Sequence, residues 1–135
     1  MGIDLKKNWS KVGIKTRVLE SKGAWQNLLD VFDGKVDLAF TQADALALAN
    51  VQYKKNTGKD LKDYIKIVSI LHPEEIHILT NGKIRNFREL NGARVSCGPK
   101  NSGSCVTADF LAYAFNLKMK IVNASYKVKY KNVKK

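Results

Sequence analysis

Between Ala93 and Thr107 the chain reads ARVSCGPKNSGSCVT, and this stretch limits the possible folds more than any other. A β-type run, Ala93 to Cys97, passes through a turn-rich segment holding Gly98, Pro99, Asn101 and Gly103 into an amphipathic run from Ser104 to Phe115. That order predicts a strand, a tight loop and a helix N-terminus. Such a junction gathers unpaired backbone N–H groups and the positive end of a helix dipole at one point, so it attracts carboxylate or phosphate. Ser102, Ser104 and Thr107 add hydroxyls able to cap the helix or to bind the same anion. No Gly-Lys-Ser/Thr follows at Walker A spacing, and the dinucleotide fingerprint is absent. Two readings stay open: an ordinary capped βα turn, and an anion site.

The remaining elements follow from hydrophobic spacing. Leu5, Trp9 and Val12 share one face of a short helix over Ile3 to Val12 that stops at Gly13. Alternation over Ile14 to Leu19 predicts a strand, Glu20-Ser21-Lys22-Gly23 a turn, and Ala24 to Phe32 a helix with Trp25, Leu28, Leu29 and Phe32 on one face. Val36 to Phe40 reads as a short apolar strand, and Thr41-Gln42-Ala43-Asp44 opens a helix from Ala45 to about Tyr53. Two βα units in succession predict an α/β fold, a parallel or mixed sheet flanked by helices. After a polar loop at Asn56-Thr57-Gly58 come two further strands, Ile65 to Leu71 and Ile76 to Thr80, joined through Pro73. Phe87 to Leu90 makes one helical turn, and Met119 to Val122 and Tyr126 to Tyr130 complete the strands.

At 135 residues the chain can bury a real core, and 44% hydrophobic with 27% charged residues is ordinary for a globular domain. Its net charge of +12, from 24 basic and 12 acidic residues, permits a nucleic-acid partner. Much of the excess lies beyond Leu117, at Lys118, Lys120, Lys127, Lys129, Lys131, Lys134 and Lys135. Aromatics other than Tyr126 and Tyr130 do not interleave with that tail, so it reads as a solvated end and nucleic acid is not the expected partner. The start of the chain lacks the apolar core of a signal peptide, and no run reaches the ~20 apolar residues of a membrane span. Cys97 and Cys105 read as two free thiols, Cys97 facing the core, with a bridge across the loop as the alternative in an oxidising compartment. His72 and His77 lack metal-spaced partners, Trp9 and Trp25 sit on apolar faces, and no nucleophile stands beside a base. Neither catalysis, nor a metal, nor a cofactor is expected.

The runs GKVDLAFTQADALALA and LHPEEIHILTNGKIRNFRELNGARVSCGPKNSGSCVTADFLAYAF together resemble the TAXI-type substrate-binding receptors of tripartite ATP-independent periplasmic (TRAP) transporters. The matching positions are Gly34, Asp37, Ala39, Gln42 and Asp44, then His72, Pro73 and Glu74. Leu90, Gly92, Arg94, Val95, Gly98, Ser102 and Gly103 follow in the same order and spacing. The resemblance covers roughly Gly13 to Leu117.

This likeness implies part of a two-lobed, type II periplasmic-binding-protein fold, with residues 1–80 belonging to lobe one and 81–135 to the start of lobe two. It implies an extracytoplasmic, periplasmic receptor that closes on a small anionic solute such as glutamate or a dicarboxylate and hands it to TRAP membrane permease subunits. Carried over by position, Ser21, Gly23 and Ala24 match the first ligand turn, although Lys22 and Ala24 depart from the family's Gly and Ser. Gln42 and Asp44 match the second cleft loop. For Asp44, helix capping and ligand contact both remain open. Asn101, Ser102, Gly103, Ser104 and Thr107 match the loop that grips the ligand carboxylate from a helix N-terminus. Against the family pattern the chain begins inside the first helix and stops within lobe two. The expectation is a truncated receptor, or one that completes itself as a homodimer by strand or lobe pairing. The competing class is a small basic nucleic-acid-binding module.

Overall fold

The structure is a computed structural model that describes residues 2–123. Four α-helices, α1 (Gly2–Ser10), α2 (Ala24–Phe32), α3 (Ala43–Thr57) and α4 (Gly103–Ala114), accompany two strands, β1 (Arg94–Gly98) and β2 (Lys120–Asn123). Short 3₁₀ turns occupy Leu61–Asp63 and Phe87–Leu90. The fold is α/β, as the sequence predicts, with a two-stranded parallel sheet packed against helices. β1 and β2 pair in the register Arg94↔Lys120, Val95↔Ile121 and Ser96↔Val122, and α4 is the crossover between them. A parallel pair needs such a crossover, because a tight turn cannot return the chain in the same direction.

α2 occupies the span its apolar face requires, with Leu28 buried. α3 runs four residues beyond the Tyr53 limit set by apolar spacing. Lys54 and Lys55 suit the negative end of its dipole, and Gly58, at φ 72°, closes it in the left-handed conformation with its N–H bonded to the Lys54 carbonyl. Small residues on the inner face of α3 let α4 approach closely: Ala45 and Leu48 bury against Val106, with Ala24, Trp25 and Phe110 packed around them. Trp25 also borders a second cluster of Leu28, Ala49 and Leu61, so one indole joins the two cores. Asn50 Oδ1 accepts the Leu61 N–H at 2.7 Å and holds the 3₁₀ turn onto α3. Beside it Phe32, Tyr53 and Tyr64 meet edge to face, with ring centroids 5.4 to 6.0 Å apart.

Two expectations need correction. The strands predicted over Ile14–Leu19, Val36–Phe40, Ile65–Leu71 and Ile76–Thr80 do not enter a sheet. Among the described residues, the backbone bonds of the first three runs reach back to the preceding helical segments: Ile14 N–H to the Trp9 carbonyl, Val36 N–H to Asp30 and Ile65 N–H to Leu61. Strand propensity expresses itself only where a ladder partner exists, and these runs have none among the described residues. The cysteines are not free thiols. Cys97 and Cys105 form a disulfide with Cα atoms 4.7 Å apart, because the turn after β1 folds α4 back over the strand it leaves. Both remain buried, beside Ala108 and Ile121. The predicted strand Tyr126 to Tyr130 and the lysine-rich end lie outside the described residues.

Candidate functional site

The three helices of the core begin at one place. Gly23, Gln42 and Ser102 are the residues immediately before α2, α3 and α4, and at none of the three does that residue's side chain cap the helix. Gly23 has φ 125° and ψ −171°, a conformation open almost only to glycine. A Cβ there would stand 2.9 Å from the Asn101 carbonyl oxygen and 3.3 Å from Ser102 Cα, so the first and third loops touch through backbone. Gly103 is constrained less severely, since a Cβ on it would meet the Gln42 side-chain amide, which can move aside. The second loop is tied to α2 by Thr41 Oγ1, which donates to the Ala24 carbonyl at 3.3 Å, and by Asn27 Nδ2, which donates to the Phe40 carbonyl at 2.6 Å.

The third loop owes its shape to local chemistry. Asn101 takes φ 66°, a left-handed value that asparagine tolerates better than most residues, and the Ser102 N–H closes the turn on the Pro99 carbonyl at 3.1 Å. Ser102 then accepts through its carbonyl from Cys105 and Val106 and starts α4. The disulfide spans Gly98 to Ser104 and joins the end of β1 to the first turn of that helix.

Residues that the sequence nominates from three separate stretches are therefore neighbours here. Gly23, Ala24, Gln42, Asp44, Ser102, Gly103 and Thr107 are buried or half-buried at the junction, whereas Ser21, Asn101 and Ser104 are exposed at its edge. Ser21 Oγ faces the Gly23 N–H at 3.5 Å. Asp44 is engaged on both oxygens: Oδ1 accepts the Ala45 N–H at 2.7 Å within its own helix, and Oδ2 accepts from the Thr107 hydroxyl of α4. A carboxylate in the first turn of α3 also meets the positive end of that dipole.

Thr107→Val keeps the shape but leaves Asp44 Oδ2 without its partner. We expect it to cost about 1–3 kcal/mol, read as a lower midpoint in chemical denaturation with an unchanged slope. An unchanged midpoint would mean that this bond does not join the helices.

Among the described residues, two polar atoms at the junction have no partner. Ser102 Oγ and Gln42 Oε1 are both shut off from solvent and unbonded, and Ser102 as a residue is only 7% exposed. An unmade bond at a buried hydroxyl costs about 1–3 kcal/mol, so the site carries polar capacity that folding does not use. The sequence reading gives Glu74 no site role, yet its carboxylate accepts from Gln42 Nε2. The signal available was its place beside Pro73, in a segment that has to cross from one apolar run to the next. Among the described residues no group of His, Cys, Asp and Glu could hold a metal ion, and no helix is long and apolar enough to cross a membrane.

The arrangement can present backbone N–H groups, one free hydroxyl and one free amide oxygen to a small polar molecule. No solved structure matches this chain. A sequence-family match spans nearly its whole length, residues 2–135, and includes all three loops of the junction. The chain belongs to the NMT1-like family, a periplasmic-binding-protein-like family related to solute-binding proteins.

Proposed function

We propose that this chain is the solute-recognising part of an extracytoplasmic receptor of the TAXI type, which takes a small anionic solute and delivers it to the membrane subunits of a TRAP transporter. The observation that carries this reading is the pair of orphaned buried atoms, Ser102 Oγ and Gln42 Oε1, where three helix N-termini meet. A carboxylate suits the N–H groups and the Ser102 hydroxyl, and an N–H donor suits Gln42 Oε1. An amino acid brings both. A dicarboxylate brings only the first. Residues 1–80 and 81–135 would supply the two sides of the site, and the solute would reach the covered atoms as the loops part and close again over it. The Cys97–Cys105 bridge supports the extracytoplasmic placement, because such bonds persist in oxidising compartments.

Ser102→Ala separates function from folding. Removing an unsatisfied buried hydroxyl should leave the solute-free protein as stable as before or slightly more so. The same change should weaken solute binding by about 10- to 100-fold, the worth of a hydrogen bond to a charged group. Thermal unfolding titrated with L-glutamate and a set of dicarboxylates measures both effects. At a hundredfold excess over the dissociation constant a bound solute adds roughly 2.7 kcal/mol to the wild type. Equal affinity in the two proteins would remove Ser102 from the site. If no solute moved the midpoint while DNA or RNA bound with steep salt dependence, the net charge of +12 would be the better guide and the chain a nucleic-acid-binding module.

A further inference from the structure

The side-chain amide of Gln42 fits its space either way round, but its two ends do opposite chemistry: the oxygen only accepts hydrogen bonds and the nitrogen only donates them. The group that faces one end therefore decides what the other end offers. Here that group is the Glu74 carboxylate, which accepts from Gln42 Nε2 across 32 residues of sequence. An ionised carboxylate has acceptors and no donor, so it holds the nitrogen on its own side. Oε1 is left toward the start of α4, against Gly103, where it is shut off from solvent and unbonded. Glu74 is itself exposed, so a residue at the surface sets the polarity of a covered atom.

We propose that Glu74 is a positioning residue that makes the junction select a solute carrying an amino group, so that the solute class is an α-amino acid rather than a dicarboxylate. The assignment rests on the reading of the junction as a solute site. The two orphaned atoms lie at adjacent residues of one loop, Ser102 Oγ on the first and Gln42 Oε1 against the second, Gly103. An α-amino acid carries its carboxylate and its ammonium on one carbon. The carboxylate takes the Ser102 hydroxyl and the N–H groups that start α4, and the ammonium donates to Gln42 Oε1. A solute without the amine leaves Oε1 buried and unpaired, which is the stronger ground for rejection. Charge acts in the same direction. Asp44 and Glu74 stand on either side of Gln42 in its bonding, and the ion pairs of the described residues involve neither carboxylate, so an ammonium at Oε1 is the cation they lack.

Three pairs of probes that differ only in the α-amino group test this: L-glutamate and glutarate, L-alanine and propionate, L-leucine and 4-methylpentanoate. Calorimetric titration of the full chain should show the amino acid of a bound pair preferred by about 10- to 100-fold. Glu74→Gln supplies both a donor and an acceptor, so either orientation of the Gln42 amide becomes possible. In that variant the preference should shrink by about 10-fold, with the amino acid held more weakly and the amine-free probe held as well or better. A purely structural role for Glu74 would weaken both probes by the same factor. In the solute-free protein, a Gln42 side-chain N–H resonance should move upfield in Glu74→Gln as the charged acceptor is lost. A bound pair held equally by the wild type, a preference unchanged in the variant, or an unmoved Gln42 resonance would each overturn the proposal while leaving the solute site in place. Binding of no probe by the wild type would remove the solute site, and this assignment with it.

Discussion

Gly23→Ala should lower the unfolding midpoint more than any other single change at the helix junction. Alanine is strained at φ 125° and ψ −171°, which costs about 1–3 kcal/mol. Its Cβ would also press on the Asn101 carbonyl oxygen at 2.9 Å, which is backbone and cannot rotate aside. Overpacking of that kind adds about 1–3 kcal/mol. The sum is a large part of the 5–15 kcal/mol that holds a typical domain together. Gly34→Ala is the control: φ is 68° there and nothing lies within 4 Å of the added methyl, so only about 1–2 kcal/mol of left-handed strain remains. Thermal unfolding of both variants by circular dichroism makes the comparison. If Gly23→Ala were no worse than Gly34→Ala, the close approach of the first and third loops would be wrong, and with it the junction.

Breaking the Cys97–Cys105 bridge should have the second largest effect. The cross-link closes a short loop, eight residues apart in sequence, and restricting the unfolded chain to such a loop is worth roughly 2.5 kcal/mol. Denaturant unfolding with and without reductant should show a lower midpoint in reductant, and the Cys97→Ser, Cys105→Ser double variant should match the reduced protein and ignore reductant. The reduced form should still fold. Each sulfur is buried beside acceptors a thiol can use, with the Gly98 carbonyl 3.2 Å and Asn123 Oδ1 3.1 Å from the Cys105 sulfur. Freed from the bridge, the Gly98–Ser104 loop should hold solute less tightly, because ordering it on binding then costs more. A midpoint indifferent to reductant would mean that the two cysteines are not joined.

Helix placement was legible because helices carry their instructions locally. The spacing of Trp25, Leu28, Leu29 and Phe32 marks α2 from end to end, and the turn residues between Gly98 and Gly103 announce α4. The strands were legible only where a partner waited. Arg94–Gly98 and Lys120–Asn123 find each other across α4, whereas Ile65–Leu71, richer in β-branched residues than either, pairs with no strand among the described residues. A β-run states what it could pair with, never whether the partner is present. The cysteines mislead for a similar reason, since pairing depends on the distance between two Cα atoms that only the fold sets.

From residue order alone came the helices, the α/β class and the strand–loop–helix order at Ala93–Thr107. Those are properties of short stretches, where turn chemistry and hydrophobic period act over a few residues. Tertiary structure decided that the N-termini of α2, α3 and α4 meet at one point and that Asp44 and Thr107 satisfy each other. It also decided that Ser102 Oγ and Gln42 Oε1 remain unsatisfied. Whether a buried polar atom has a partner depends on residues tens of positions away, so it can be known only once packing has brought those residues together.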